Sequence, residues 1–192
     1  MYINMHKFHW AQTLADRVIA EKKPPFKIGA GLSPSGPLHF GTLCEVLYPS
    51  KIRIELDNRG FHTSFHLMVD TLDAFDSVPS IFEPHSGFLM PHFGKPLFRV
   101  PDPTGKTASF ADYFLTELRN AMEVFGIAPD IVQMHDFYLS GKLDSYVRLF
   151  LSNEPQVRDI IERSSDRHCG TNWSPIMPIC ENCGKISTTR VI

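Results

Sequence analysis

The chain has 192 residues, enough for one ordinary domain with a core of its own. With 43% hydrophobic and 21% charged residues it falls among globular chains and away from disordered ones. Its formal net charge of −2 gives no global basic signature for nucleic acid, and no run approaches the roughly 18 apolar residues of a membrane helix, so no membrane partner is expected.

The opening residues, MYINMHKFHWAQ, lack the charged-then-apolar design of a secretory signal. Four cysteines occur, Cys44, Cys169, Cys180 and Cys183, at uneven spacing. That pattern predicts reduced thiols and a cytoplasmic location.

Taken in order, residues 7–23 predict a helix, with Trp10, Leu14, Ala15, Val18 and Ile19 on one face. Pro24 and Pro25 end it. The stretch 26–45, FKIGAGLSPSGPLHFGTLCE, reads as an apolar strand, a turn and a helix opening near His39. A strand that passes through a glycine-rich turn into a helix N-terminus presents free N–H groups and a positive dipole end to an anion. Gly29, Gly31, Ser33, Ser35 and Gly36 keep that backbone bare. His39 and Gly41 supply a donor for a phosphate and a flat surface for a nucleotide ring. The plainer alternative is a structural connection with a capping histidine.

The helix from that turn is expected to reach residue 58, with a kink at Pro49 or a break near Tyr48, and Gly60 as its cap. Residues 62–69 predict a strand that delivers Asp70 and Asp73 at its C-terminal end. In an open α/β sheet ligands bind at that edge; the alternative use of the two acids is helix capping. Residues 77–107 are crowded with prolines and read as loop. Ser109 or Thr107 caps the next helix, which carries Phe110, Phe114, Leu118 and Met122 as a core stripe and ends at Gly126. A strand over 130–135 carries His135 and Asp136 at its tip, and helices follow over 142–151 and 154–163. This alternation predicts an α/β fold, a parallel sheet covered by helices. Right-handed crossovers bring the strand tips after Gly31, Val69 and His135 to one edge.

The last segment, 166–192, changes character. Cys180 and Cys183, followed by Gly184, form a Cys-x-x-Cys turn whose thiolates can share one tetrahedral metal, with His168 and Cys169 as the nearest additional ligands. A redox pair and unmetallated thiols are the other readings. The chain stops on the strand-like run STTRVI, which reads as a truncation inside a small zinc-binding hairpin. Two regions are therefore expected, 1–165 and 166–192.

GLSPSGPLHFGTLCEV resembles the first signature of class I aminoacyl-tRNA synthetases, and more narrowly that of the class I lysyl-tRNA synthetases, the archaeal type of lysine–tRNA ligase. HWAQTLADRVI, the strand ending in Asp70 and Asp73 before Val78 and Pro79, FEPHSG, KPLFRVPDPTG and NWSPIMPICENCGKI resemble further stretches of that family in the same order. The resemblance implies the first half of a Rossmann-type catalytic core that activates lysine with ATP and Mg2+ and charges tRNA(Lys), followed by the start of a zinc-knuckle insertion. It implies catalytic roles for His39, Gly41 and Thr42. It implies ATP contacts at Pro34, Ser35, Gly36, His39 and Gly41, and amino-acid contacts at Gly31, Ser33, Asp70 and Asp73. Zinc would fall to Cys180 and Cys183, with Cys169 as a further ligand.

Three departures stand out. Thr42 ends the signature in place of histidine. Ala74 and Asp76 replace a basic pair, and Lys106, Thr107 and Ala108 stand where the family carries a small residue, a histidine and an acid. The lysine-rich second signature is not recognised, because Lys185 to Thr189 follow directly on the Cys-x-x-Cys turn. Weak or absent activity of this chain alone is therefore expected. The competing readings are a small cytidylyltransferase-like nucleotidyltransferase and a non-catalytic split synthetase domain that binds nucleotide or tRNA.

Overall fold

A computed structural model describes residues 9–170 and 172–186. The beginning of the first expected helix, at residues 7 and 8, and the strand-like run STTRVI lie outside the described residues. The described residues divide into two compact units: 9–33, 38–69 and 115–132 form one, and 34–37, 70–114, 133–170 and 172–186 the other.

In the first unit, α1 (Trp10–Glu21) begins with a capping box. The His9 side chain accepts from the backbone, and Gln12 reaches back to the His9 N–H. Its buried residues are Ala11 and Ala15, while Trp10 and Leu14, expected on the core face, are largely exposed. Small side chains let α1 approach α2 (Phe40–Asn58) closely, and the Trp10 ring packs edge-on against Tyr48 at 5.4 Å. The expected break near Tyr48 does not occur: α2 runs through Pro49. Proline there removes one backbone hydrogen bond, but Val46 and Ser50 on either side are buried, and their packing holds the helix together. The helix ends in a Schellman motif. Gly60, at φ 82°, donates to the Asp57 carbonyl and Phe61 to that of Leu56.

Strands β1 (Phe26–Leu32) and β2 (Thr63–Val69) pair in parallel from Phe26↔Thr63 to Leu32↔Val69. The third strand, β3 (Asp130–Gln133), lies beside β2, giving the order β1-β2-β3. This is the expected Rossmann-type α/β class. On β2 the buried residues alternate, Thr63, Phe65, Leu67 and Val69, the period of a strand with one face on the core. They pack with Ala30, Val46, Leu115, Leu118, Met122 and Ile127.

Helix α4 (Phe110–Val124) is shared by the units, Phe110–Phe114 belonging to the second. Ser109 is its cap: its Oγ accepts from the Asp112 N–H at 3.1 Å. Phe110, Phe114, Leu118 and Met122 are all buried, as the stripe predicts. Gly126, at φ 65°, closes the helix in a second Schellman motif.

The second unit departs from the expectation of loop. Residues 77–107 form short helical turns, Ser80–His85, α3 (Ser86–Leu89), Met90–His92 and Leu97–Arg99. Proline precedes or opens most of these turns, where its fixed φ suits a helix start and its missing N–H costs nothing. They enclose a core of Phe75, Phe82, Leu89, Leu97, Val100, Phe110, Ala111 and Phe114. Phe110 sits edge-on to both Phe75 and Phe114, at 4.9 and 5.0 Å. The strand expected to reach His135 stops at Gln133, and α5 (Met134–Leu139) follows without a loop. Helices α6 (Asp144–Ser152) and α7 (Glu154–Ser164) lie within a residue or two of the expected bounds.

The PDPTGKT loop closes on its own carboxylate. Asp102, only 6% exposed, accepts backbone N–H groups from Thr104, Lys106 and Thr107 at 2.8, 3.0 and 2.8 Å, as well as the Thr104 hydroxyl. Burial pushes its carboxyl pKa up, but the hydrogen bonds from Thr104 and Thr107 together outweigh burial and hold it below the ordinary value.

Two stability predictions follow from these cores. Leu67→Ala removes a fully buried side chain and should cost about 2–5 kcal/mol in denaturant unfolding, whereas Leu149→Ala, on an exposed site, should cost about 0.5 kcal/mol or less. Asp102→Asn should cost about 1.5–3 kcal/mol at neutral pH, the value of hydrogen bonds to a charged group. Because the folded-state pKa is depressed, the Asp102 contribution is complete above about pH 3.9 and is lost as pH falls through the lower folded value. The difference between Asp102→Asn and the parent should therefore shrink in acid, as read from unfolding midpoints across pH.

Candidate functional site

The signature turn lies directly after β1. His39 is the N-cap residue of α2, with extended backbone at φ −126° and ψ 169°. Its Nδ1 accepts the Thr42 N–H at 3.1 Å, and its Nε2 lies 3.1 Å from the Thr42 Oγ1. An imidazole that accepts at Nδ1 carries its proton on Nε2 in the neutral state. The one ring donor is therefore at Nε2.

Gly41 is what allows this placement. A Cβ there would stand 3.0 Å from both Cε1 and Nδ1 of His39. The His-x-Gly spacing thus has a local physical cause: the ring of the histidine lies over the bare backbone of the glycine. His39, Gly41 and Thr42 lie together at the start of α2, and the capping role set against the phosphate role is present. One of the helix's free N–H groups, that of Thr42, is consequently occupied by the His39 ring.

Gly31 sits near the end of β1 opposite Met68, whose carbonyl oxygen would be 3.6 Å from a Cβ on Gly31. Ser33 follows the strand in the same unit. Pro34, Ser35 and Gly36 belong to the second unit, where Pro34 is buried and Ser35 is exposed.

Asp70 and Asp73, also in the second unit, are both exposed. Neither caps a helix. Asp70 accepts the Leu72 N–H at 3.1 Å in a tight turn, and neither carboxylate forms an ion pair among the described residues. Between them Thr71 is fully buried. Its Oγ1 accepts the His135 backbone N–H at 3.1 Å and lies 2.8 Å from the His135 Nδ1. Phe98 stacks on the His135 ring at 4.3 Å with an interplanar angle of 4°. The Gln133 Oε1, at the end of β3, is buried with no hydrogen-bond partner among the described residues.

Thr71 and Phe98 escaped the sequence reading. Thr71 looked like an ordinary residue between two acids, and no local pattern places Phe98 beside a histidine thirty-seven positions away. His135 was noticed, but as a strand tip; it occupies the first turn of α5 instead.

The zinc expectation does not fit the donor set. Among the described residues no group of three or more His, Cys, Asp or Glu side chains gathers as a metal site. Cys180 and Cys183 lie on a turn closed by Gly184 N–H to Cys180 O at 2.8 Å, which leaves two sulfurs where a structural zinc needs four ligands. The loop at Cys169 is held by an arginine. Arg158 Nη1 donates to the Cys169 and Gly170 carbonyls at 3.1 and 2.7 Å, and its guanidinium lies over the Trp173 ring. His168 faces Glu162 at 3.6 Å.

No helix among the described residues is long and apolar enough to cross a membrane. The family model described as class I (K) tRNA synthetases matches residues 8–192. Among curated proteins, the chain is 32% identical over 183 residues to a lysine–tRNA ligase of Methanosarcina barkeri, covering 95% of this chain and 33% of that protein. It is 30% identical over 184 residues to one of Archaeoglobus fulgidus, covering 95% and 36%. With one of Methanocaldococcus jannaschii it shares 28% identity over 185 residues, covering 94% and 34%. The chain spans about a third of the length of these relatives. A histidine-capped helix after the first strand of a parallel sheet and a match that runs nearly from end to end together place this chain in the class I (K) tRNA synthetase family.

Proposed function

We propose that this chain supplies the part of a lysine–tRNA ligase that binds ATP and lysine, forms lysyl-adenylate and serves tRNA(Lys). Residues 1–165 would form the first half of the catalytic region and 166–192 the start of the cysteine-bearing insertion. The observation that carries this reading is the His39 ring seated over Gly41 at the start of α2, in a chain matched by the family model over residues 8–192.

In the reaction the lysine carboxylate attacks the α-phosphate of ATP and pyrophosphate leaves. The protein's task is to position the two substrates and to stabilise charge on the phosphate oxygens. Magnesium carried in with the ATP would supply neutralisation of part of that charge. His39 can donate from Nε2 to a phosphate oxygen after letting go of Thr42, whose hydroxyl then becomes a second donor. The N-terminus of α2 favours the negative charge, and Gly41 would offer a flat surface to a nucleotide ring once the His39 ring has moved off it. Gly31 and Ser33 would line the amino-acid side. Asp70 and Asp73 offer unpaired carboxylates suited to an ammonium group. Pro34, Ser35 and Gly36 would carry the chain past the phosphates.

None of these steps is routed through the turn at Cys180 and Cys183. The competing cytidylyltransferase-like reading explains the His39 turn but neither the acid loop nor the cysteine turn.

His39→Ala should weaken ATP binding about tenfold or more, the loss of one hydrogen bond to a charged group, measured by calorimetry on the folded chain. Unchanged affinity would make the turn purely structural. In a lysine-dependent ATP–pyrophosphate exchange assay the 192-residue chain alone should be weak or inactive. The phosphate donors proposed for it are His39 and the N-terminus of α2, and loss of a single clamp of this kind costs on the order of 10²–10³ in rate. Robust exchange would sink that expectation.

A further inference from the structure

The segment that carries Asp70 and Asp73 is held by an unusual amount of fixed structure for two exposed acids. Phe98 N–H donates to the Thr71 carbonyl at 3.1 Å and Leu97 N–H to that of Asp73 at 2.9 Å. Phe75 N–H donates to Lys95 O at 2.8 Å, and Gly94 N–H to Phe75 O at 2.7 Å. Ala74 and Pro96 form an antiparallel bridge within this ladder. Residues 71–75 are thereby laid along residues 94–98.

Thr71 ties the same segment to a third one. Its hydroxyl oxygen accepts the His135 N–H, and its single hydrogen needs an acceptor because the residue is fully buried. The acceptor at hand is the His135 Nδ1, 2.8 Å away. The neutral ring then carries its proton on Nε2, which lies 3.4 Å from the Asp136 Oδ1. Phe98 covers one face of the ring, and Arg99 lies over Phe98 at 5.4 Å. The His135 side chain is only 17% exposed. An apolar side chain at position 135 could fill the stack on Phe98. It would leave the hydrogen of the buried Thr71 hydroxyl without this acceptor, so filling space does not account for a histidine here.

We propose that His135 is a positioning residue for the substrate-binding acids. Its imidazole, held as an acceptor at Nδ1, fixes Thr71 against the 94–98 segment and so sets Asp70 and Asp73 where they receive the ammonium group of the amino-acid substrate. This rests on the reading that Asp70 and Asp73 bind lysine.

The test compares His135→Ala, His135→Asn and Thr71→Val in the full 192-residue chain, with two readouts. The first is binding of lysine and of ATP, each by calorimetry. The second is hydrogen exchange at the Leu97 and Phe98 amides, which report the ladder directly. His135→Ala should weaken lysine binding about tenfold and leave ATP binding within about twofold of the parent. It should also speed exchange at both amides. His135→Asn, whose Oδ1 can replace Nδ1 as acceptor for the Thr71 hydroxyl, should restore lysine binding and amide protection most of the way. Thr71→Val should match His135→Ala, and combining the two should add little. Equal losses for lysine and ATP, unchanged exchange in His135→Ala, or an Asn variant no better than Ala would each overturn the proposal. If the parent chain binds ATP but no lysine, the lysine reading fails. The positioning role for a substrate fails with it, while the exchange data still decide whether the ring holds the loop.

Discussion

Parallel pairing of β1 with β2 is the constraint on which the rest of the structure depends. Two parallel strands in register must end on the same side of their sheet. The connection between them must cross the sheet, and α2 is that crossover, packed over Val46 and Leu56. Once β1 ends at Leu32 and β2 at Val69, the segments that follow both strands start from one edge. In an open α/β sheet that edge is where chemistry is placed, because backbone leaving the strands there is free of the ladder.

The histidine signature gains a structural meaning from the helix it opens. His39 satisfies the Thr42 amide that would otherwise be left without a partner at the start of α2. Glycine at position 41 gives the ring room to reach that amide, since a Cβ there would stand 3.0 Å from it. The two readings of the motif, capping and phosphate binding, therefore share one geometry. A ring pinned at Nδ1 has a defined tautomer, and its remaining donor is aimed by the same bond that caps the helix. Thr42, in the place of a second histidine, supplies a hydroxyl within reach of that donor.

The second unit solves a different problem. Its sequence is rich in prolines and poor in regular periodicity, yet it gathers eight buried apolar side chains into one core cluster. Short turns opened by proline bring phenylalanines into edge-on contact, where ring quadrupoles favour the packing. On the 100–109 stretch, Asp102 draws three backbone amides inward. Lys106 contributes only its backbone N–H to this carboxylate, whereas Thr107 adds its hydroxyl, which lies 3.0 Å from Asp102 Oδ2 and 2.9 Å from the Ser109 carbonyl oxygen. The Thr107 side chain is thus part of the loop's internal bonding.

The sequence by itself determined the strands at 26–32 and 63–69, the long helices Phe40–Asn58 and Phe110–Val124, and the glycines at 60 and 126 that close those two helices. Each is signalled by residues close to one another in the chain, whether by alternation, capping or a left-handed glycine. It also determined the family, through short stretches in a fixed order, and it picked out His39 and Gly41 because their contact is local. Only the tertiary structure decided that α2 passes through Pro49, where packing on both sides outweighs one lost hydrogen bond. Only it showed that Trp10 and Leu14 face outward while alanines take the helix contact. Only it separated Cys169 from the cysteine turn and gave its loop to Arg158. The meeting of Thr71, Phe98 and His135 was likewise beyond the reach of the sequence, since bonds among three distant segments leave no periodic trace and exist only after the backbone has brought those segments together.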